Sequence, residues 1–356
     1  MFVGIADTFT ASFASEAEVS GVSLVSSFNT VLIFLFTVLS SGGAVIISQY
    51  IGSRRNDLAS RASGQLLMLS SLLSAVLTAL ILLFQTPLLK LLFGRIETDV
   101  MTACRTYLFI TTLSLPFLAV YDAGAALCRS IGKTNVTMYI SIAANVINVA
   151  GNCIGVFLLH MGAAGVAYPS LLSRILSAIA VTAYCFRREN PVHYKLSDIF
   201  CLDGALLKKI MHIALPNGVE NGVHQLVKVA LSSMVALFGT YQIVANGVAQ
   251  SIWSLAAIMG LAMAPVYTTV IGQYMGAKDI DAANFYFKKL NRITLLLSIL
   301  WNALIFALTP LIVRYSAISP KRKSWCSGWS SSIIFLTAWH ILLPVLWAAG
   351  CGPPGT

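Results

Sequence analysis

Charged residues are scarce in this sequence. Asp, Glu, Lys and Arg make up only 10% of its 356 residues, whereas a water-soluble domain carries about 25%. Hydrophobic residues account for 57%, and the mean hydropathy is +0.82. A buried core alone does not explain so large a deficit of charge, so we expect lipid to surround most of the chain.

Motifs typical of enzymes are also absent. The sequence has no glycine-rich nucleotide loop, no HExxH, no nucleophile elbow and no paired catalytic Ser and His. These absences argue against an ATP-driven pump and a membrane protease, and we predict that the protein is not an enzyme. The seven cysteines show neither CxxC nor metal-ligand spacing, so we expect no metal site. The net charge of +10 lies in short loops, which is typical of membrane orientation rather than nucleic-acid binding.

Uncharged runs long enough to cross a bilayer predict an all-α polytopic membrane protein with about nine or ten helices. Met1 to Ser15 is expected to be the end of span one, and Pro116 is expected to kink span four. Residues 205–210 are expected to form an interfacial helix, with span seven beginning near Pro216. The other predicted spans are two (19–53), three (62–87), four (101–127), five (135–158), six (165–186), eight (243–274) and nine (292–314).

One stretch occurs twice. Gln49-Tyr50-Ile51-Gly52-Ser53-Arg54 returns 224 residues later as Gln273-Tyr274-Met275-Gly276-Ala277-Lys278, and each copy ends an uncharged run. We interpret the chain as two homologous halves. The predicted divisions are an N-terminal lobe (1–186), a cytoplasmic linker (187–209), an incomplete C-terminal lobe (210–319) and an aberrant tail (320–356). The same offset implies that one helix lacks its start and that the last two or three helices are missing.

Loop charges predict the orientation. After span two, Arg54, Arg55 and Arg61 outweigh Asp57, and the loops after spans four, six and eight are also basic. The loops after spans three, five and seven are close to neutral. The positive-inside rule therefore places the protein in the cytoplasmic membrane as a multi-pass protein, with the basic loops after spans two, four, six and eight in the cytoplasm.

The tail breaks this pattern, because Lys321-Arg322-Lys323 would lie outside. We expect a segment encoded in a shifted reading frame or otherwise abnormal; the alternative is a divergent tenth helix.

Ionisable and amide side chains within the apolar runs are the candidate functional residues, because charge inside a bilayer is costly. Asp7 lies in the first apolar segment, and Glu220, His224 and Lys228 share one face of span seven. Asn148 and Asn152 lie one turn apart on span five. These groups either line a water-filled cavity that binds a cation or have a structural role. For Asp7 that role is a helix-end carboxylate exposed to water, and for the others it is contact between helices. Arg129 and Arg174 are expected to extend to the membrane interface.

In their order along the chain, these features resemble the multidrug and toxic compound extrusion (MATE) family of antiporters over about residues 1–319. The similar motifs are Ala6-Asp7-Thr8, Gly42-Gly43-Ala44 leading to Gln49-Tyr50-x-Gly52, Arg129-Ser130-Ile131-Gly132-Lys133-Thr134, Gly162-Ala-Ala-Gly165, and Leu215-Pro216 ahead of Glu220.

The resemblance implies a two-lobe bundle of internally repeated six-helix halves around a central cavity. It implies efflux of drugs or organic cations in exchange for protons or sodium, with no cofactor beyond that coupling ion. The residues that match family positions for coupling are Asp7, Asn148, Ser170 and Glu220, while Asn152 stands where the family has Asp. Expected partners are a small lipophilic or cationic substrate and membrane lipid, with no nucleic acid, and the protein is expected to be a monomer.

Two alternatives remain open at this point. One is a lipid-linked precursor flippase of the same fold, which needs a basic cavity, and the few cavity cations here argue against it. The other is a truncated remnant that does not transport.

Overall fold

The computed structural model describes residues 16–93, 97–200, 202–236 and 240–315, and all the regular secondary structure within them is helical. The chain divides into two compact units between Gly218 and Val219. The helices are α1 (Glu16–Gly52), α2 (Asn56–Leu83), α3 (Gln85–Phe93), α4 (Thr98–Leu113), α5 (Leu115–Ser130), α6 (Thr134–Cys153, continued by a π-helical turn at Ile154–Leu158), α7 (Gly162–Cys185), α8 (Leu196–Phe200), α9 (Gly204–Ala236), α10 (Thr240–Gly276) and α11 (Ile280–Tyr315).

Six of the described helices are long and apolar enough to cross a membrane. They contain the segments 20–52, 56–83, 134–158, 162–185, 256–276 and 280–307, and the bent pair α4–α5 is a seventh candidate. The bend is 41°. It lies at Ser114, whose hydroxyl donates to the carbonyl of Thr111 at 2.6 Å, two residues before Pro116. The predicted kink is therefore confirmed, and the missing N–H of proline explains it.

The predicted interfacial helix at residues 205–210 is wrong. These residues begin α9, which continues through Pro216 without a break. Asp203 accepts hydrogen bonds from the backbone N–H groups of Ala205 and Leu206, and this cap fixes the start of the helix. Ile210 is fully buried in the first unit, so the segment packs against protein.

Two further helices begin earlier than predicted. α2 begins at Asn56 rather than 62, and α11 begins at Ile280 rather than 292. In α11, Asp279 accepts a hydrogen bond from the backbone N–H of Ala282. The prediction ended spans at charged residues, but a helix that leaves the bilayer keeps its backbone hydrogen bonds in water.

The repeated stretch forms the same turn in both halves. After α1, Arg54 adopts a φ of 59° and its N–H bonds the Ile51 carbonyl at 3.0 Å. After α10, Lys278 adopts a φ of 60° and its N–H bonds the Met275 carbonyl at 3.1 Å. A left-handed conformation is uncommon for a side chain with a Cβ. Its recurrence at the 224-residue offset supports a structural repeat at this turn.

The first unit contains two buried apolar clusters. One lies around Ile47, Leu66 and Leu127, and the other around Phe36 and Leu108. Together these clusters hold α1, α2, α4, α5 and α7 in one bundle. Buried apolar contacts of this kind fix the helix positions on which the polar contacts described below depend.

Glycines bring α6 and α7 into backbone contact. A Cβ on Gly155 would overlap the backbone of Gly165, and a Cβ on Gly151 would meet the ring of Pro169 at 2.6 Å. Gly162, with a φ of 56°, has no room for a Cβ beside the carboxylate of Glu18. Small residues at such crossings let membrane helices approach closely.

We expect Gly155→Ala to lower the free energy of unfolding by roughly 1–3 kcal/mol, because backbone cannot move aside for the added methyl group. The measurement is unfolding of the purified protein in mixed SDS micelles. Gly260→Ala is the matched control, since nothing lies within 4 Å of its Cβ position. Equal stability of Gly155→Ala and the wild type would show that this crossing is not closely packed.

Candidate functional site

α6 buries polar side chains and exposes apolar ones. Its buried residues are Asn148 and Asn152, one turn apart, whereas Val146 and Val149 are 62% and 48% exposed. This is the reverse of a water-soluble helix and suits a helix with lipid on its outer face. Both asparagines therefore lie in the protein interior, where an amide hydrogen bond is strongly favoured.

Asn148 contacts Ser170. The amide nitrogen of Asn148 donates to Ser170 Oγ at 2.8 Å, and both side chains are buried. The hydroxyl comes from α7, whose Pro169 packs on Gly151 of α6. The amide oxygen of Asn148 is buried and accepts no hydrogen bond from the described residues. An oxygen in this position suits a proton donor or a small cation.

The polar contacts continue along α7 to Arg174, one turn beyond Ser170. Arg174 lies in the middle of a candidate span, and its Nη1 donates to Ser114 Oγ at 2.6 Å. The expectation that Arg174 extends to the membrane interface is therefore wrong. Its guanidinium binds a buried hydroxyl at the bend between α4 and α5 instead.

A further contact reaches α1. The amide nitrogen of Asn29 donates to Thr111 Oγ1 at 3.0 Å, and both side chains are buried. Thr111 also supplies the carbonyl that accepts from Ser114. We call this set the polar column; it joins α6, α7, the α4–α5 bend and α1 through Asn148, Ser170, Arg174, Ser114, Thr111 and Asn29.

Several predicted site residues cannot be placed in the column. Asp7 lies outside the described residues, and so do the side chains of His224 and Lys228. All three of Glu220, His224 and Lys228 lie on the continuous helix α9, so their four-residue spacing gives them one face. The Glu220 side chain is exposed. Among the described residues, no group of three or more His, Cys, Asp or Glu side chains could hold a metal ion.

Asn29, Thr111 and Ser114 were not predicted. Thr111, Thr112 and Ser114 form a hydroxyl cluster just before Pro116, and this pattern is typical of a polar helix break. Ser170 and Arg174 have the four-residue spacing of one helix face. Asn29 gives no such signal, because its partner lies 82 residues away.

The second unit has its own buried polar stripe. Tyr267 on α10 donates to Asn291 Oδ1 at 2.5 Å, and Thr294, Ser298 and Asn302 are buried along α11. At the 224-residue offset, these three residues of α11 correspond in order to Ser70, Ser74 and Thr78 of α2, which form a stripe of hydroxyls. The repeat therefore preserves the polar face of this helix as well as the turn before it.

We expect a double-mutant cycle of Asn148→Ala and Ser170→Ala to show a coupling of about 0.6–1.7 kcal/mol in the free energy of unfolding, the range for interhelical hydrogen bonds in membranes. Asn145→Ala with Ser170→Ala is the control, because Asn145 donates to Ser141 within its own helix. Additive effects in both cycles would mean that the Asn148–Ser170 contact does not form.

Comparison with known proteins gives the family. A family model described as MatE matches residues 1–154 and 216–349. The second range includes most of 320–356. That segment lies outside the described residues, so the aberrant tail and the divergent tenth helix both stay predictions.

One curated relative is an uncharacterised transporter, YisQ, of Bacillus subtilis, with 27% identity over 80% of this chain and 62% of its own length. Another is a probable multidrug resistance protein, NorM, of Thermotoga maritima, with 24% identity over 78% of this chain and 60% of its own length. The chain thus spans about three fifths of the length of these relatives.

Solved structures of transporters share the fold. A MATE protein in its bent conformation matches with a TM-score of 0.83 and 20% identity over 94% of this chain and 78% of its own. A MOP superfamily transporter from Pyrococcus furiosus matches with a TM-score of 0.84 and 21% identity, over 97% of this chain and 78% of its own. With its apolar spans and the family match over more than half its length, the chain belongs to the MatE family, whose members are multi-pass membrane transporters rather than enzymes.

Proposed function

We propose that this chain works as a secondary antiporter that exports drugs or organic cations in exchange for protons or sodium. The observation that carries the proposal is the buried Asn148–Ser170 pair between two membrane helices, in a chain of the MatE family. Several relatives, including the one from Thermotoga maritima, are described as probable multidrug resistance proteins. A buried amide and hydroxyl in lipid-facing helices fit a site where a small cation binds and leaves.

The mechanism would be competition at Asp7. Protonation of this carboxylate, or its binding of sodium, removes its attraction for a cationic substrate and favours a different packing of the lobe. Asn148, Asn152 and Ser170 would supply neutral oxygens to the coupling cation. Since Asn152 cannot ionise, the site has one carboxylate fewer than the family pattern, and this favours a proton over sodium.

The flippase alternative receives no support from the first unit. A pyrophosphate needs several free cations in one cavity, whereas Arg174 in the middle of α7 is bound to Ser114. A non-transporting remnant is the outcome that the first experiment below separates from an antiporter.

We expect the purified wild type in proteoliposomes to move a cationic dye against an imposed proton gradient, and Asp7→Asn to lose this coupled movement while still inserting. The reason is that an amide binds neither the proton nor a cation by charge. The measurement is ethidium fluorescence with a pH gradient, a sodium gradient or neither. Asp99→Asn, at an exposed carboxylate of α4, is the control.

Dye movement by Asp7→Asn equal to the wild type would remove Asp7 from the mechanism. No dye movement by the wild type under either gradient would reject the antiporter in favour of a remnant.

We further propose that the protein lies in the cytoplasmic membrane with the basic loop after α1 inside the cell. In a background without native cysteines, Arg55→Cys should be labelled by a membrane-impermeant maleimide only after the cells are opened. Glu97→Cys, at the neutral loop before α4, should be labelled in intact cells. Both positions are exposed, so access to the reagent depends on the side of the membrane alone. Labelling of Arg55→Cys in intact cells, with Glu97→Cys labelled only in opened cells, would show the opposite orientation.

A further inference from the structure

A second carboxylate lies inside the first unit, apart from the residues of the proposed coupling site. Asp122 is on α5, eight residues before its end at Ser130, or about 12 Å along the helix axis. Its Oδ2 is buried and accepts no hydrogen bond from the described residues. Because this oxygen is buried, a negative charge on Asp122 must be balanced within the protein.

The register of α5 and α7 places Arg174 between Ser114 and this carboxylate. The Sγ atoms of Cys128 and Cys185 lie 3.7 Å apart, and Gly124 packs on Val181; both pairs are separated by 57 residues. The two helices therefore run in parallel, and Arg174 is level with Phe117. It lies three residues beyond Ser114 and five before Asp122, or roughly 4.5 Å and 7.5 Å along the axis. Arg174 therefore lies between Ser114 and Asp122 along the helix axis.

Few other charged groups face Asp122. On its own helix these are Tyr121, whose hydroxyl is hydrogen-bonded to Ser141 of α6, and Arg129. Arg174 is the charged residue of α7 whose positive charge lies near enough to attract the Asp122 carboxylate. The described charged residues of α1 and α2 lie toward the helix ends.

We propose that Asp122 is a proton-binding site and that Arg174 exchanges between Ser114 and Asp122 according to whether the proton is bound. With Asp122 protonated, Arg174 stays on the Ser114 hydroxyl, as in the structure. Loss of the proton creates a buried anion that attracts the guanidinium away from the α4–α5 bend. This inference rests on the proposed antiport, to which it adds a second protonation site.

The exchange has a mechanical consequence. Ser114 lies at the 41° bend, and its hydroxyl bonds both the Thr111 carbonyl and Arg174. Release of Arg174 removes this hydrogen bond between the bend and α7, and we expect the bend angle to depend on pH as a result. Proton binding at Asp122 is thereby linked to a change in helix shape.

The first test is infrared difference spectroscopy of the purified full chain in nanodiscs, between alkaline and acid buffer. The wild type should show a carboxylic-acid C=O band that Asp122→Asn lacks and that the control Asp99→Asn keeps. In Arg174→Gln the band should persist to higher pH, because a stabilising cation is gone. An unchanged band in Asp122→Asn would overturn the proposal.

The second test is a distance between spin labels at Thr102 and Lys133, which are exposed and flank the bend, in a background without native cysteines. The wild type should gain a second distance at alkaline pH, while Asp122→Asn keeps the acid distance throughout. A single distance in the wild type at every pH would reject the switch. Neither test requires dye movement, so these results stand whether or not the protein proves to be an antiporter.

Discussion

The absence of water around the helices is the constraint on which the first unit depends. A polar group in hydrocarbon has no solvent partner, so it must find one in the protein. α6 shows the result directly, because it exposes Val146 and Val149 and buries Asn148 and Asn152. For the same reason, Arg174 forms a hydrogen bond with Ser114, and Asn29 forms one with Thr111. Hydrogen bonds in the polar column therefore add directional contacts between α1, α4, α6 and α7 to the apolar packing of the bundle.

Close backbone contact makes these hydrogen bonds feasible. Lipid tails are as apolar as leucine, so apolar burial alone favours helix association weakly in a bilayer. Gly151 and Gly155 lie on the face of α6 that carries Asn148 and Asn152, and they bring Pro169 and Gly165 of α7 into contact. The short asparagine side chain then reaches Ser170. Small residues and polar residues on one face of α6 thus act together.

The sequence was sufficient to predict most of the apolar helices and the bend near Pro116. The family resemblance named Asn148 and Ser170 as separate site residues, and their hydrogen bond is seen in the structure. The charges of the sequence misplaced the starts of α2, α9 and α11, because a helix continues into water when a cap such as Asp203 supports it. It also assigned Arg174 to the interface. A single sequence gives periodicity along one helix but not the pairing of residues 60 positions apart, as in Arg174 and Ser114.

Two structural features recur in both units at the 224-residue offset. The turn after α1 and the hydroxyl stripe of α2 both return in α10 and α11, at the same offset. Counterparts of Asn148, Ser170 and Arg174 at that offset would have numbers above 356, so the repeat cannot be compared at these positions. The second unit joins its helices through Tyr267 and Asn291. In the first unit, an arginine, a partly buried aspartate and a helix bend lie within a few helical turns of one another.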